Sequence, residues 1–163
     1  MNIASLLTKS SITWANRPAI AFGRETIYDY SEFVKRVRQL AGAMKNTLNL
    51  QAGDRIGIAM KNCTDYSIIS FATWYAGFIA VPMNAKLHSR EFEFIIKDSG
   101  ASLCFVTNDL ARTIKQARKE NTPLKIINVD NEYYDKLLES KEIEIAETKP
   151  DDTAWLFYTS GTT

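Results

Sequence analysis

Apolar positions change their spacing along the chain, and each spacing predicts an element. From residue 33 to 48 they fall at Phe33, Val34, Val37, Leu40, Ala41, Met44 and Leu48, offsets of 0, 1, 4, 7, 8, 11 and 15. That is the period of a helix with one buried stripe. Ser31 stands where a side-chain oxygen can accept from a free N–H of the first turn. Upstream, Ala4 to Trp14 is predicted as a helix that ends before Arg17-Pro18. Ala19-Ile20-Ala21-Phe22 and Thr26-Ile27-Tyr28 flank the turn-forming Gly23-Arg24-Glu25 and predict a β-hairpin.

Beyond the turn Ala52-Gly53-Asp54 the pattern becomes an alternation of short apolar runs and longer amphipathic ones. Strands are predicted at Arg55 to Met60, Phe78 to Val81 (ended by Pro82), Leu103 to Val106, Leu124 to Val129 and Ala154 to Tyr158. Helices are predicted from Thr64, as a cap, to about Ala76 with Gly77 as the stop, from Ser89 to Gly100, around Leu110, Ile114 and Ala117, and around Tyr134, Leu137 and Leu138. Short strands with little polar alternation, separated by helices, define an α/β fold: a largely parallel sheet flanked by helices, with an N-terminal β-hairpin.

Composition narrows the function only by exclusion. The 163 residues are 45% hydrophobic, enough for a core. Twenty basic side chains against nineteen acidic ones give no overall electrostatic case for nucleic acid or for an anionic membrane. No run reaches the roughly 20 apolar residues of a membrane-spanning helix. No targeting signal opens the chain, so the expected location is cytoplasmic. Cys63 and Cys104 are too few for a disulfide framework or a metal cluster. Cys104, within Leu103-Cys104-Phe105-Val106, reads as core and Cys63 as loop. The single histidine, His88, beside Ser89 and Arg90, reads as a loop residue rather than a catalytic base. No catalytic residue and no metal ligand is assigned.

The segment that carries chemistry is Tyr158-Thr159-Ser160-Gly161-Thr162-Thr163, directly after an apolar strand. In open α/β sheets ligands bind beyond the carboxyl ends of the strands. Gly161 lets backbone approach an anion closely, successive N–H groups can form an anion-binding concavity, and four hydroxyls add rotatable donors. Alone, Ser-Gly-Thr-Thr is also an ordinary polar turn. It is neither a Gly-x-x-x-x-Gly-Lys-Ser/Thr loop nor a Gly-x-Gly-x-x-Gly fingerprint.

Residues Trp155 to Thr163 resemble the start of the phosphate loop of the adenylate-forming superfamily, which includes acyl-CoA synthetases, firefly luciferase and nonribosomal-peptide-synthetase adenylation domains. Gly53 to Ile58, Tyr75 to Asn84 and Glu91 to Ala101 resemble three scaffold segments of the same family, in its order and at roughly its spacing. The resemblance spans most of the chain and is most like the acyl-CoA synthetases. It implies an acid–thiol ligase that makes an acyl-adenylate from a carboxylic acid, with a fatty acid as the expected substrate, and passes the acyl group to coenzyme A. It implies ATP and Mg2+ as cofactors, and Thr159, Ser160, Gly161, Thr162 and Thr163 as phosphate contacts.

The family's loop continues with further Gly residues and a Lys, whereas this sequence stops at Thr163. Residues 1–163 are therefore expected to be the N-terminal portion of the large domain, cut within the phosphate loop, inactive alone, and prone to self-association through the surface so exposed. Two other readings stay open: an amino-acid or aryl-acid adenylation domain that loads a carrier protein, and a non-catalytic α/β binding module.

Overall fold

The computed structural model describes residues 1–118 and 123–159. The first helix, α1 (Ser5–Thr13), leads into a hairpin of β1 (Pro18–Phe22) and β2 (Glu25–Asp29), and α2 (Tyr30–Gly42) follows. Next come β3 (Arg55–Ala59), α3 (Thr64–Tyr75), β4 (Ile79–Met83), α4 (Ser89–Ser99), β5 (Leu103–Val106), α5 (Asn108–Ala117), β6 (Lys125–Asn128) and α6 (Glu132–Leu137). The hairpin is antiparallel. The main sheet is parallel throughout, in the order β4-β3-β5-β6. The α/β architecture predicted from the spacing is the one observed.

The sheet divides two cores by simple alternation. Leu103 and Phe105 of β5 point into a core shared with α2, α3 and α6, whereas Cys104 and Val106 point into a second core with α4 and α5. Successive strand side chains face opposite sides, so a run apolar at every position is what a sheet covered on both faces requires. Gly57 faces the second core, and a Cβ there would lie 2.9 Å from Met83 Cε and 3.0 Å from Cys104 Sγ. Cys104 is fully buried, and burial pushes its thiol up to about 12, as a core residue.

Side-chain ties fix the ends of several elements. Arg55 donates from Nε to the Ser99 carbonyl at 2.9 Å and from Nη2 to that of Gly100 at 3.0 Å. It so satisfies carbonyls that the end of α4 leaves open. Gly100 turns the chain at φ 61° and Gly77 at φ 78°, conformations that disfavour side chains. The stripe predicted after Ser31 is buried from Phe33 to Leu48, but the helix is not uniform. From Ala43 to Thr47 it widens into a π-helical turn.

Several local predictions are corrected. Asp29, not Ser31, caps α2, its Oδ1 accepting from the Glu32 N–H at 2.8 Å, because the helix already starts at Tyr30, ahead of Ser31. Thr64 is the first residue of α3, and extended Cys63 occupies the cap position. His88 holds the corresponding place before α4, where its N–H donates to Glu91 Oε2 at 2.8 Å. Pro82 does not end β4; it pairs with Ile58 inside the strand. Ala80, two residues earlier, turns its N–H away from β3 toward the Ala154 carbonyl. By the strand's two-residue period the nitrogen of Pro82 faces the same outer edge, where a missing donor costs the β3 ladder nothing.

Candidate phosphate-binding site

The segment leading to the candidate loop lies against the outer edge of β4. The Ala80 N–H donates to the Ala154 carbonyl at 3.0 Å, and the Leu156 N–H donates to the Ala80 carbonyl at 2.9 Å. These two bonds make one parallel bridge between Ala80 and Trp155. The next rung would need an N–H on Pro82, which proline lacks, and the ladder stops there. The predicted strand Ala154 to Tyr158 is thus a single bridge followed by extended chain, and it is not buried on both faces: Trp155 is 42% and Phe157 66% exposed.

Side chains hold this segment where the ladder does not. The Trp74 indole N–H of α3 donates to the Ala154 carbonyl at 3.1 Å. The Trp74 ring meets that of Trp155 edge-on, with centroids 4.6 Å apart. On the other side, Leu156 and Tyr158 pack against the core of α4 and α5. The Tyr158 hydroxyl donates to Asp98 Oδ2 at 2.7 Å, and its ring stands edge-on to Phe94. Burial, reinforced by the hydrogen bond to Asp98, pushes the Tyr158 phenol up to about 12. Neither Asp98 nor Phe94 was singled out as a site residue from sequence. They belong to the segment Glu91 to Ala101, read there as scaffold alone.

The parallel bridge gives the segment the direction of β4, so it runs toward the carboxyl edge of the sheet, the ligand-binding edge of this architecture. Thr159 is the first residue past Tyr158 and is exposed. Ser160, Gly161, Thr162 and Thr163 lie outside the described residues. A cavity of about 480 Å³ lies at the opposite edge, between the segments that precede β3 and β4 and residues 146–154. Asn2 beside it is fully engaged: its Nδ2 donates to the carbonyls of Trp74 and Ala146, and its Oδ1 accepts from the Ala4 N–H. That cavity contributes no site for the predicted chemistry.

A parallel sheet of this order, covered by helices on both faces and preceded by an antiparallel hairpin, defines an α/β protein. The chain belongs to the AMP-binding enzyme family, which it matches over residues 7–163. It is 32% identical over 116 residues to a long-chain-fatty-acid–CoA ligase of Haemophilus influenzae, covering 71% of this chain and 20% of that protein. It is 30% identical over 153 residues to the putative acyl–CoA ligase YdaB of Bacillus subtilis, covering 89% of this chain and 30% of that protein. The anthranilate CoA ligase AuaEII, solved in complex with anthranoyl-AMP, has the same fold with a TM-score of 0.90 at 23% identity, over 99% of this chain and 32% of that one. The chain thus spans about a fifth to a third of the length of these proteins.

Among the described residues no group of three or more His, Cys, Asp or Glu is placed to hold a metal ion. Of the predicted phosphate contacts, Thr159 alone falls among the described residues, and its exposed hydroxyl is a donor of the kind a phosphate oxygen accepts; no step through Mg2+ is derived from it.

Proposed function

We propose that this chain supplies the near half of the phosphate cradle of an ATP-dependent acid–CoA ligase whose carboxylic acid is a fatty acid. The observation that supports this reading is the Ala80–Trp155 bridge, which gives the chain up to Thr159 the direction of β4, toward the carboxyl edge of the sheet. The named relatives support the fatty-acid substrate. When bound, ATP supplies the α-phosphate that a carboxylate attacks, with pyrophosphate as leaving group and Mg2+ offsetting charge. Thr159 and, by resemblance, Ser160, Gly161, Thr162 and Thr163 hold phosphate oxygens. Their role is to position and to stabilise charge, and none is a nucleophile.

In this reading residues 1–163 are part of a longer cytoplasmic enzyme and do not adenylate alone, because they span only about a fifth to a third of the ligases they match. The test is ATP–pyrophosphate exchange with fatty, aryl and amino acids, run on the 163-residue chain and on the product of the complete reading frame. Exchange with fatty acids by the longer product only is the expected result. Turnover by the 163-residue chain alone, or exchange confined to amino acids, overturns it.

A further inference from the structure

Two residues of α4 serve neither its helix nor the core beneath it. The buried face of α4 is Phe92, Ile95, Ile96 and Ser99. Phe94 lies off that face and is 60% exposed. Asp98 is exposed as well, in the last turn, where a carboxylate opposes the helix dipole. Among the described residues its side chain joins no ion pair. Neither burial nor helix preference accounts for either residue.

Both meet the same side chain. Four positions apart, they stand one turn from each other on one side of α4, and the Tyr158 phenol lies along that turn. Its ring stands edge-on to Phe94, with centroids 6.2 Å apart and planes at 87°. Its hydroxyl donates to Asp98 Oδ2 over 2.7 Å, a short bond of the kind made to a charged oxygen. One contact fixes where the ring sits, and the other fixes how it is turned.

The backbone supplies nothing comparable there. The last pairing with β4 is the bond from the Leu156 N–H to the Ala80 carbonyl. Pro82 has no N–H to offer the Leu156 carbonyl, which would be the next rung of a parallel ladder. Among the described residues Phe157, Tyr158 and Thr159 make no backbone hydrogen bond. Tyr158, past the last rung and directly before Thr159, is where the chain is fastened again.

We infer that Asp98 and Phe94 are positioning residues of the phosphate site, acting through Tyr158 to fix the point from which the chain enters the loop led by Thr159. This deepens the ligase reading and rests on it. A loop that presents donors to phosphate oxygens loses affinity when its entry point is free to move, because more ordering is then left to the moment of binding. The effect falls on ATP, whose phosphates the loop holds, and not on the carboxylic acid.

Two measurements test this together. On the isotope-labelled 163-residue chain, NMR order parameters of the Tyr158 and Thr159 amides report the fastening without any ligand. On the product of the complete reading frame, ATP–pyrophosphate exchange gives one KM for ATP and another for the acid. Asp98→Ala should lower both order parameters and raise the KM for ATP about fivefold, the order of one net hydrogen bond, with the KM for the acid unchanged. Tyr158→Phe should do the same, and the two changes combined should do no more than either, as residues joined by one bond require. Phe94→Ala, which removes the ring contact, should shift the same quantities in the same direction. Asp98→Asn keeps an acceptor and should restore most of the affinity. Lys97→Gln, at the exposed neighbour of Asp98, should match wild type. The melting temperature of Asp98→Ala should stay near that of wild type, because loss of the bond is offset by removal of a charge that opposes the helix dipole. Unchanged order parameters, an unchanged KM for ATP, or a lowered melt with both KM values rising equally overturns the inference. No exchange by the wild-type longer product is a separate failure, that of the ligase reading, and it removes this inference as well.

Discussion

The Tyr158 hydroxyl donates to Asp98 Oδ2 at 2.7 Å, and this bond ties the last residue before Thr159 to α4. Without a ladder beyond Ala80, the start of the loop depends on this bond and on the ring contact with Phe94. A phenol raised to about 12 in the folded chain, above its ordinary value near 10, stabilises the fold fully below pH ~10. That contribution is lost as pH rises through about 12. The phenolate absorbance of wild type minus that of Tyr158→Phe should therefore show a step near 12. In Asp98→Asn, with the adjacent negative charge gone, the step should move down. A wild-type step at the ordinary tyrosine value removes the tether.

A second tyrosine–aspartate pair makes an independent prediction. The Tyr134 hydroxyl of α6 donates to Asp65 Oδ1 at 3.0 Å beneath the first turn of α3. Tyr134 is 1% exposed, and burial raises the carboxyl pKa of Asp65 above its usual range despite that hydrogen bond. Tyr134→Phe leaves the carboxylate without its buried donor and should cost about 1–3 kcal/mol in urea unfolding at neutral pH. Asp65→Asn keeps an acceptor and removes the charge. A carboxyl with a raised folded pKa contributes stability that is present below its unfolded value and lost as pH rises through the folded one. The melting temperature of Asp65→Asn should accordingly gain on wild type between pH 4 and pH 7. A difference that shrinks over that interval contradicts the buried-charge account.

The main architecture was legible because apolar periodicity reports burial, and burial by two helical layers is what defines this sheet. Every strand residue of β5 faces one core or the other, which is why an unbroken apolar run predicted it. What escaped were features decided by single donors. Proline 82 was legible as a strand breaker in general, but only the position of its neighbours showed that its nitrogen faces outward, sparing β4 and ending the bridge to Trp155. Asp29 and Ser31 are both good caps, and the choice between them depends on where the hairpin delivers the chain. At the site, Ala154 to Tyr158 was legible as an apolar extended run, while Thr159 entered as an expected phosphate contact through the resemblance alone. Asp98 did not, because its partner is 60 residues away and an Asp on an amphipathic helix carries no sign of it.

Gly42 illustrates a tertiary constraint that opposes local preference. It lies within α2, where alanine is intrinsically better by about 0.8–1.0 kcal/mol. A Cβ at this position, however, would run into the backbone carbonyl of Lys141, with the Ile143 side chain also close. The carbonyl belongs to main chain and cannot rotate aside as a flexible side chain would. Gly42→Ala should therefore destabilise, by about 1–3 kcal/mol as overpacked sites do, measured by urea denaturation. A stabilised variant would mean that helix propensity governs and that residues 141–143 are free to move away.

The aromatic path from the core to the surface supports the last prediction. Phe33, Phe71, Trp74, Trp155 and Phe157 form successive ring contacts, with centroids 5.6, 5.3, 4.6 and 5.3 Å apart. The path starts in buried α2 and ends on Trp155 and Phe157, both exposed beside a sheet edge whose ladder has stopped after one bridge. Aromatic surface next to unpaired backbone favours association with another copy. Light scattering of the 163-residue chain should show mass rising with concentration, and Phe157→Asp should suppress that rise. Phe157 is mostly solvent-exposed and touches only the end of the path, so its substitution should change the thermal melt little. Trp155→Ala should both suppress association and lower stability, because it also removes the edge-on contact with Trp74, worth about 0.5–1.5 kcal/mol. A monomer at all concentrations overturns this prediction, and association untouched by Phe157→Asp places the contact on another face.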